Sequence, residues 1–158
     1  MKYDKHIFIC VNERPDSSPK GDCSRVGGNE IRMRFVELIN EAVSAVRNSS
    51  TNAKIILHCA GYESSNWFFN IVNEVDYDII GISFYPMWHG KSLNELQNQL
   101  SNLSINFNKE ILIAETSYPF TLSWNDWTNN IVGLEEHLIL PEYPASPQGQ
   151  KDFIRDVK

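Results

Sequence analysis

A chain of 158 residues, 42% of them hydrophobic, is long enough to fold around one buried core. Its net charge of −6 argues against nucleic acid as the main partner, because phosphate contacts require a basic surface. Neither a membrane span nor a disulfide framework is predicted, since no apolar run approaches roughly 18 residues and the three cysteines are an odd number.

The predicted elements begin with a strand over residues 5–11, a polar loop over residues 12–28 and a helix from about residue 29 to residue 48. The apolar part of this strand is too short for a signal peptide, so we expect a cytoplasmic chain. The helix is predicted from apolar residues that recur at helical spacing. They are Phe35, Ile39, Ala42, Val43 and Val46.

Strands and helices alternate along the rest of the chain. Apolar runs predict strands over residues 53–58, 78–85 and 111–115. The helices that follow are predicted to begin at Ser64 or Ser65, at the capping pair Ser92 and Glu95, and at Pro147. This alternation predicts an α/β fold with a parallel sheet of about four strands, which is half the number in a closed (β/α)₈ barrel.

One carboxylate, Glu115, stands at the end of an otherwise apolar strand. The unbroken run from Ile111 to Ala114 predicts a strand that is buried on both faces of a parallel sheet. A charge at the end of such a strand is costly unless it is paired or lies at the mouth of the sheet. Because the active sites of α/β folds lie at the carboxyl ends of strands, Glu115 is the first catalytic candidate. A salt bridge at the strand end is the alternative.

Polar and aromatic side chains follow three of the predicted strands at their carboxyl ends. His58 ends the first of these strands, Tyr85 ends the second and is followed by Trp88 and His89, and Tyr118 follows the third. Rings that stack on sugar faces, together with groups that bind hydroxyls, make a sugar-binding rim. A carboxylate on the same rim supplies a nucleophile or a general base for glycosidic chemistry.

Long stretches of the chain resemble the family-53 glycoside hydrolases, the arabinogalactan endo-β-1,4-galactanases. These stretches lie within residues 42–158 and include Lys54–His58, Val75–Gly90, Ala114–Leu122 and Tyr143–Gln150. The resemblance implies part of a (β/α)₈ barrel and retaining hydrolysis of β-1,4-galactosidic bonds in galactan. It also implies that Glu115 is the nucleophile, that Trp88 and His89 belong to the sugar-binding rim, and that relatives are usually secreted.

The resemblance also points to an acid/base, although less directly. The family carries this residue in a Gly-Asn-Glu-Ile sequence, and Gly28-Asn29-Glu30-Ile31 has the same letters. The helix follows Glu30 at once, without the loop that the family has there. A solvated carboxylate in the first turn of a helix is the competing interpretation, because the helix dipole favours acidic residues at that end.

The first part of the chain resembles a different family. Residues 5–15 and 19–28 are similar to the start of the thioredoxin-like two-iron two-sulfur ferredoxins, and Cys10 and Cys23 match two of that family's cluster ligands. The other two ligands have no counterpart, so we expect no cluster, because it needs four thiolates. The two resemblances together imply a joined chain, with a ferredoxin-like β-α segment over residues 1–41 and a galactanase-like half barrel over residues 42–158 in one compact domain.

Three functions follow from these observations. The first is a galactanase-type hydrolase that acts on β-1,4-galactan oligosaccharides, with weak or no turnover if the barrel is incomplete. The others are a ferredoxin-like electron carrier and a non-catalytic sugar-binding or structural module. Open sheet edges predict pairing with a second copy of the chain. A calcium site is a further hypothesis, because oxygen ligands suit that ion. Its candidate ligands are Asn125, Asp126, Asn129 and Asn130.

Overall fold

The computed structural model describes residues 27–50, 52–123 and 132–157. The chain divides into two compact units, Met1–Ala53 and Lys54–Lys158. The strand predicted over residues 5–11, Cys10 and Cys23 lie outside the described residues, as do the four candidate calcium ligands.

The first unit contains one described helix, α1, over Asn29–Ser49. It begins where the sequence predicts and ends one residue later. Glu30 lies in its first turn and Arg47 in its last, so both charges interact favourably with the helix dipole. The Arg47 side chain also donates a hydrogen bond to the Ala53 carbonyl at 3.0 Å, which ties the end of the helix to the residues that follow it.

The second unit is built on a parallel sheet, whose described strands are β1 (Ile56–Ala60), β2 (Ile79–Phe84) and β3 (Glu110–Thr116). They lie in the order β1-β2-β3, so that β2 pairs with both neighbours. The three strands predicted for this part of the chain are confirmed. β1 begins three residues later and ends two residues later than predicted.

Helices connect and cover these strands. They are α2 (Ser65–Ile71), α3 (Pro86–His89), α4 (Leu93–Phe107), a short 3₁₀ turn (Glu135–His137) and α5 (Pro147–Val157). The predicted N-terminal cap of α4 is confirmed, because the Ser92 hydroxyl accepts a hydrogen bond from the Glu95 amide at 3.2 Å. The beginning of α5 at Pro147 is also confirmed.

One face of the sheet is packed against helices. Ile80, Ile82 and Phe84 alternate along β2 and are fully buried on this face. Phe84 joins a core cluster that holds α4 and α5 to the sheet. The other members are Leu96, Tyr118, Leu138, Ile139 and Phe153.

The opposite face of the sheet, the open face, is exposed along its two outer strands, β1 and β3. Ile56 and Leu112 are 42% and 44% exposed there. Gly81 lies between them on β2, and a Cβ at that position would come within 2.9 Å of Ile56 Cγ2 and 3.4 Å of Ala114 Cβ. The prediction that β3 is buried on both faces is therefore wrong. Helices cover one of its faces, and the other presents Leu112 and Ala114 to solvent.

Candidate active site

The carboxylate of Glu115 is held by two hydroxyl groups from β2 and the residue after it. Ser83 Oγ donates a hydrogen bond to Glu115 Oε2 at 2.9 Å. Tyr85 Oη donates to Glu115 Oε1 at 2.6 Å. Each carboxylate oxygen therefore has its own donor, and together the two donors fix the plane of the carboxylate at the carboxyl end of the sheet.

A bulge in β3 turns Glu115 toward these donors. Ile82 pairs with Ile113, but the next residue of β2, Ser83, pairs with Glu115, so Ala114 is the extra residue. Side chains alternate between the faces of a strand, and regular pairing would direct Glu115 toward the helix-covered face with Ile111 and Ile113. The bulge places it on the open face beside Ser83, which is a recurrent use of bulges near active sites.

His58 extends this hydrogen-bonded group to the remaining strand of the sheet, β1. It lies on β1 opposite Gly81, and its Nε2 is 2.7 Å from Ser83 Oγ. The His58 side chain is exposed, whereas Ser83 is 3% exposed. The hydrogen bonds therefore run from β1 through β2 to β3, in the order His58, Ser83, Glu115.

These contacts fix the charge states of Glu115 and Tyr85 at neutral pH. The hydrogen bond from Tyr85, followed by that from Ser83, lowers the pKa of the Glu115 carboxyl below its usual value. Burial, together with the hydrogen bond to Glu115 and its charge, raises the pKa of Tyr85 to about 12. Glu115 is therefore ionised and Tyr85 keeps its proton, so this carboxylate is suited to act as a nucleophile or a base and not as an acid.

An aromatic surface adjoins the carboxylate. The Trp88 ring is 55% exposed and meets the Tyr85 ring edge-on, with 5.1 Å between the centroids. His89 Nδ1 accepts a hydrogen bond from the Tyr85 amide at 3.0 Å, and burial lowers the pKa of this imidazole. Gly61, at φ +75°, makes room for the ring, since a Cβ there would lie 2.7 Å from His89 Cδ2. The predicted rim residues Tyr85, Trp88 and His89 are thus brought together beside Glu115.

Tyr118 does not join this surface. Its hydroxyl donates to the Tyr143 carbonyl at 2.6 Å and accepts from the Ile139 amide at 2.8 Å. Its ring stacks on Phe153 at 4.2 Å between centroids and is 3% exposed. The prediction that Tyr118 contacts sugar is corrected to a structural role, because its hydroxyl donates its one proton to a carbonyl inside the core.

Three predicted site residues remain, Glu30, Cys10 and Cys23. Glu30 belongs to the first unit, where it is an exposed residue of the first turn of α1, so its pairing with Glu115 stays a prediction. Cys10 and Cys23 are outside the described residues. Within residues 27–50, 52–123 and 132–157, no group of three His, Cys, Asp or Glu side chains could hold a metal ion.

Sequence reasoning missed Ser83 as part of this site. A serine inside an otherwise apolar strand was the available signal, because a buried hydroxyl needs hydrogen-bond partners. Which partners it has depends on the register of three strands, and this register is set by contacts distant in sequence.

An ionised carboxylate with two fixed donors lies beside an aromatic rim at the carboxyl ends of parallel strands, an arrangement compatible with the site of a glycoside hydrolase. Comparison with known proteins identifies the family. The chain belongs to glycosyl hydrolase family 53, whose model matches residues 24–158. This match includes Glu30 and begins within residues 19–28, one of the two stretches that resemble ferredoxins. The ferredoxin-like origin of residues 1–41 stays a prediction.

Two bacterial relatives support this assignment. An arabinogalactan endo-β-1,4-galactanase of Cellvibrio japonicus is 38% identical over 128 residues, which is 77% of this chain and 34% of the relative. An endo-β-1,4-galactanase of Bacillus subtilis is 35% identical over 129 residues, 78% of this chain and 29% of the relative. The chain thus spans about a third of the length of these curated relatives.

A solved structure agrees with the fold. The family-53 catalytic domain of Ignisphaera aggregans is 37% identical, with a TM-score of 0.70 over 88% of this chain and 38% of that one. The parallel sheet and its helices are therefore those of part of a family-53 catalytic domain. Separately, none of the described helices is long and apolar enough to cross a lipid bilayer.

Proposed function

We propose that the chain carries the nucleophile side of a retaining endo-β-1,4-galactanase site, with Glu115 as the nucleophile. The observation that carries this proposal is the pair of hydrogen bonds by which Ser83 and Tyr85 hold the Glu115 carboxylate at the strand ends. The names of the family-53 relatives supply the substrate class, β-1,4-linked galactan. The cytoplasmic location and the pairing of two copies through sheet edges stay predictions.

The proposed reaction has two steps. Glu115 attacks the anomeric carbon of a galactosyl unit and displaces the leaving oxygen, which a second carboxyl group protonates. Water then attacks the glycosyl-enzyme, and the same second group removes its proton, so the product keeps the β configuration. In retaining enzymes the two carboxyl groups stand about 5–5.5 Å apart. Glu30 is the proposed second group.

Two substrates separate the roles of the two carboxyl groups. A dinitrophenyl β-galactobioside has a leaving group that departs without protonation, whereas galactan requires an acid. We expect Glu30→Gln to lower hydrolysis of galactan by about 10²-fold or more, while kcat/KM for release of dinitrophenolate, which reports only the first step, stays within a few-fold. If Glu30→Gln leaves both reactions unchanged, Glu30 is a helix residue without a catalytic role.

Tyr85 gives the site a characteristic pH dependence. The reaction needs ionised Glu115, so its rate falls as the pH drops through the pKa of this carboxyl group. Because the Tyr85 hydrogen bond lowers that pKa, Tyr85→Phe raises it, and the acid limb of dinitrophenolate release moves to higher pH. Tyr143→Phe is the matched control, since it removes a hydroxyl that donates to Asp156 instead. An unmoved acid limb in Tyr85→Phe would contradict the assignment.

Trp88 favours a sugar-binding role for the same surface, with or without catalysis. We expect Trp88→Ala to weaken the binding of galactotetraose, measured by calorimetry, about five-fold, because a lost ring contact is worth roughly 1 kcal/mol. Trp67→Ala is the matched control, since Trp67 is 52% exposed on α2. Equal losses from the two substitutions would show that Trp88 has no special part in binding. Binding without any dinitrophenolate release would indicate a non-catalytic module.

A further inference from the structure

The hydrogen-bonded group that holds Glu115 contains one hydroxyl with two close neighbours. Ser83 Oγ is 2.9 Å from Glu115 Oε2 and 2.7 Å from His58 Nε2. A hydroxyl has a single proton, which it can donate to one partner at a time. Both distances are hydrogen-bond distances, so each pair of atoms shares a proton.

The state of the carboxylate decides where that proton lies. Ionised Glu115 accepts hydrogen bonds and donates none, so the proton between it and Ser83 belongs to Ser83. Ser83 then has no proton to donate to His58 Nε2, so Nε2 must carry a proton and donate it to Ser83 Oγ. The positions of the three heavy atoms therefore determine which ring nitrogen of His58 is protonated.

We propose that His58 is a positioning residue of the nucleophile, and that its Nε2–H directs the Ser83 hydroxyl toward Glu115. This inference rests on the proposed function, in which Glu115 is the nucleophile. Were Nε2 unprotonated, Ser83 would donate to the imidazole and turn its lone pairs toward the carboxylate. Glu115 would then lose one of its two donors, and Oε2 would face another acceptor.

The arrangement is held by the sheet and not by exposed side chains alone. Ser83 is 3% exposed on the middle strand, and its neighbours come from the two flanking strands. Tyr85 independently binds Oε1, so the Ser83 hydrogen bond decides how Oε2 is oriented. His58 was predicted to bind sugar, and the geometry assigns its Nε2 to the carboxylate network instead.

The test measures the pKa of the Glu115 carboxyl by carbon-13 NMR in the full chain, without substrate. We expect this pKa to rise in Ser83→Ala and in His58→Leu, and to stay near the wild-type value in His58→Gln, whose amide supplies an N–H at a similar position. In the double variant Ser83→Ala/His58→Leu, we expect no rise beyond that of Ser83→Ala, because His58 acts through Ser83. The Glu110 carboxyl at the other end of β3 is the internal control.

Two results would overturn the proposal. One is additive rises in the double variant, which would mean that His58 acts on Glu115 by its charge and not through the hydroxyl. The other is an unprotonated Nε2 in the wild-type protein, read from the nitrogen-15 shifts of the His58 ring, and this measurement requires no variant to fold. Neither readout depends on hydrolysis, so a chain that fails to cleave galactosides still tests the role of His58.

Discussion

Glu115→Gln is expected to lower the release of dinitrophenolate from the galactobioside by about 10⁴-fold or more, the scale of losing a catalytic nucleophile. Glutamine keeps the size of the side chain and removes the charge that attacks the anomeric carbon. The leaving group needs no acid, so this measurement reports on the nucleophile alone.

The matched control for this substitution is Glu110→Gln. Glu110 is the first residue of β3, Glu115 lies near the other end of the same strand, and both side chains are exposed. We expect Glu110→Gln to keep the rate within a few-fold of wild type. A similar loss in both variants would point to a general effect of charge or folding and would remove the case for Glu115.

The second large effect concerns stability. Phe153→Ala is expected to lower the free energy of unfolding by about 3–5 kcal/mol, measured by urea denaturation. Phe153 is fully buried on α5, and its ring contacts Tyr118 at 4.2 Å and Tyr143 at 5.7 Å between centroids. Alanine would leave a cavity in the cluster that holds α5 against Phe84 at the end of β2.

Ile154 provides the control on the same helix. It is the next residue and is 37% exposed, so Ile154→Ala removes an apolar side chain that is only partly buried. We expect a loss below about 1 kcal/mol. Equal losses would contradict the account in which Phe153 anchors α5, and with it Tyr118, to the sheet.

Local patterns were sufficient to predict the main elements. The apolar run that became β2, the capping serine of α4 and the proline that opens α5 each carry their structure in a few adjacent residues. Glu115 could be singled out because a carboxylate at the end of an apolar strand requires partners or solvent. Its nearness to Tyr85 followed from parallel strands ending at one edge.

The details of the site depend on pairing between strands. The extra residue at Ala114 is a property of two strands in register, and nothing in the run Ile111–Glu115 marks it. The burial of β3 likewise depends on which elements pack against each of its faces. Its apolar run alone therefore led to the wrong prediction that both faces are buried. Tyr118 follows Glu115 by three residues, yet it lies in the core, where its hydroxyl donates to the Tyr143 carbonyl, 25 residues away in sequence.

Glu115, which the bulge and two hydroxyls present on the open face of the sheet, is the proposed nucleophile. The most direct measurement is covalent labelling by a dinitrophenyl 2-deoxy-2-fluoro-β-galactoside, followed by peptide mapping with mass spectrometry. We expect the fluorosugar on the peptide that contains Glu115, and none in Glu115→Gln. Labelling of a different carboxylate, with Glu115 unmodified, would contradict this assignment.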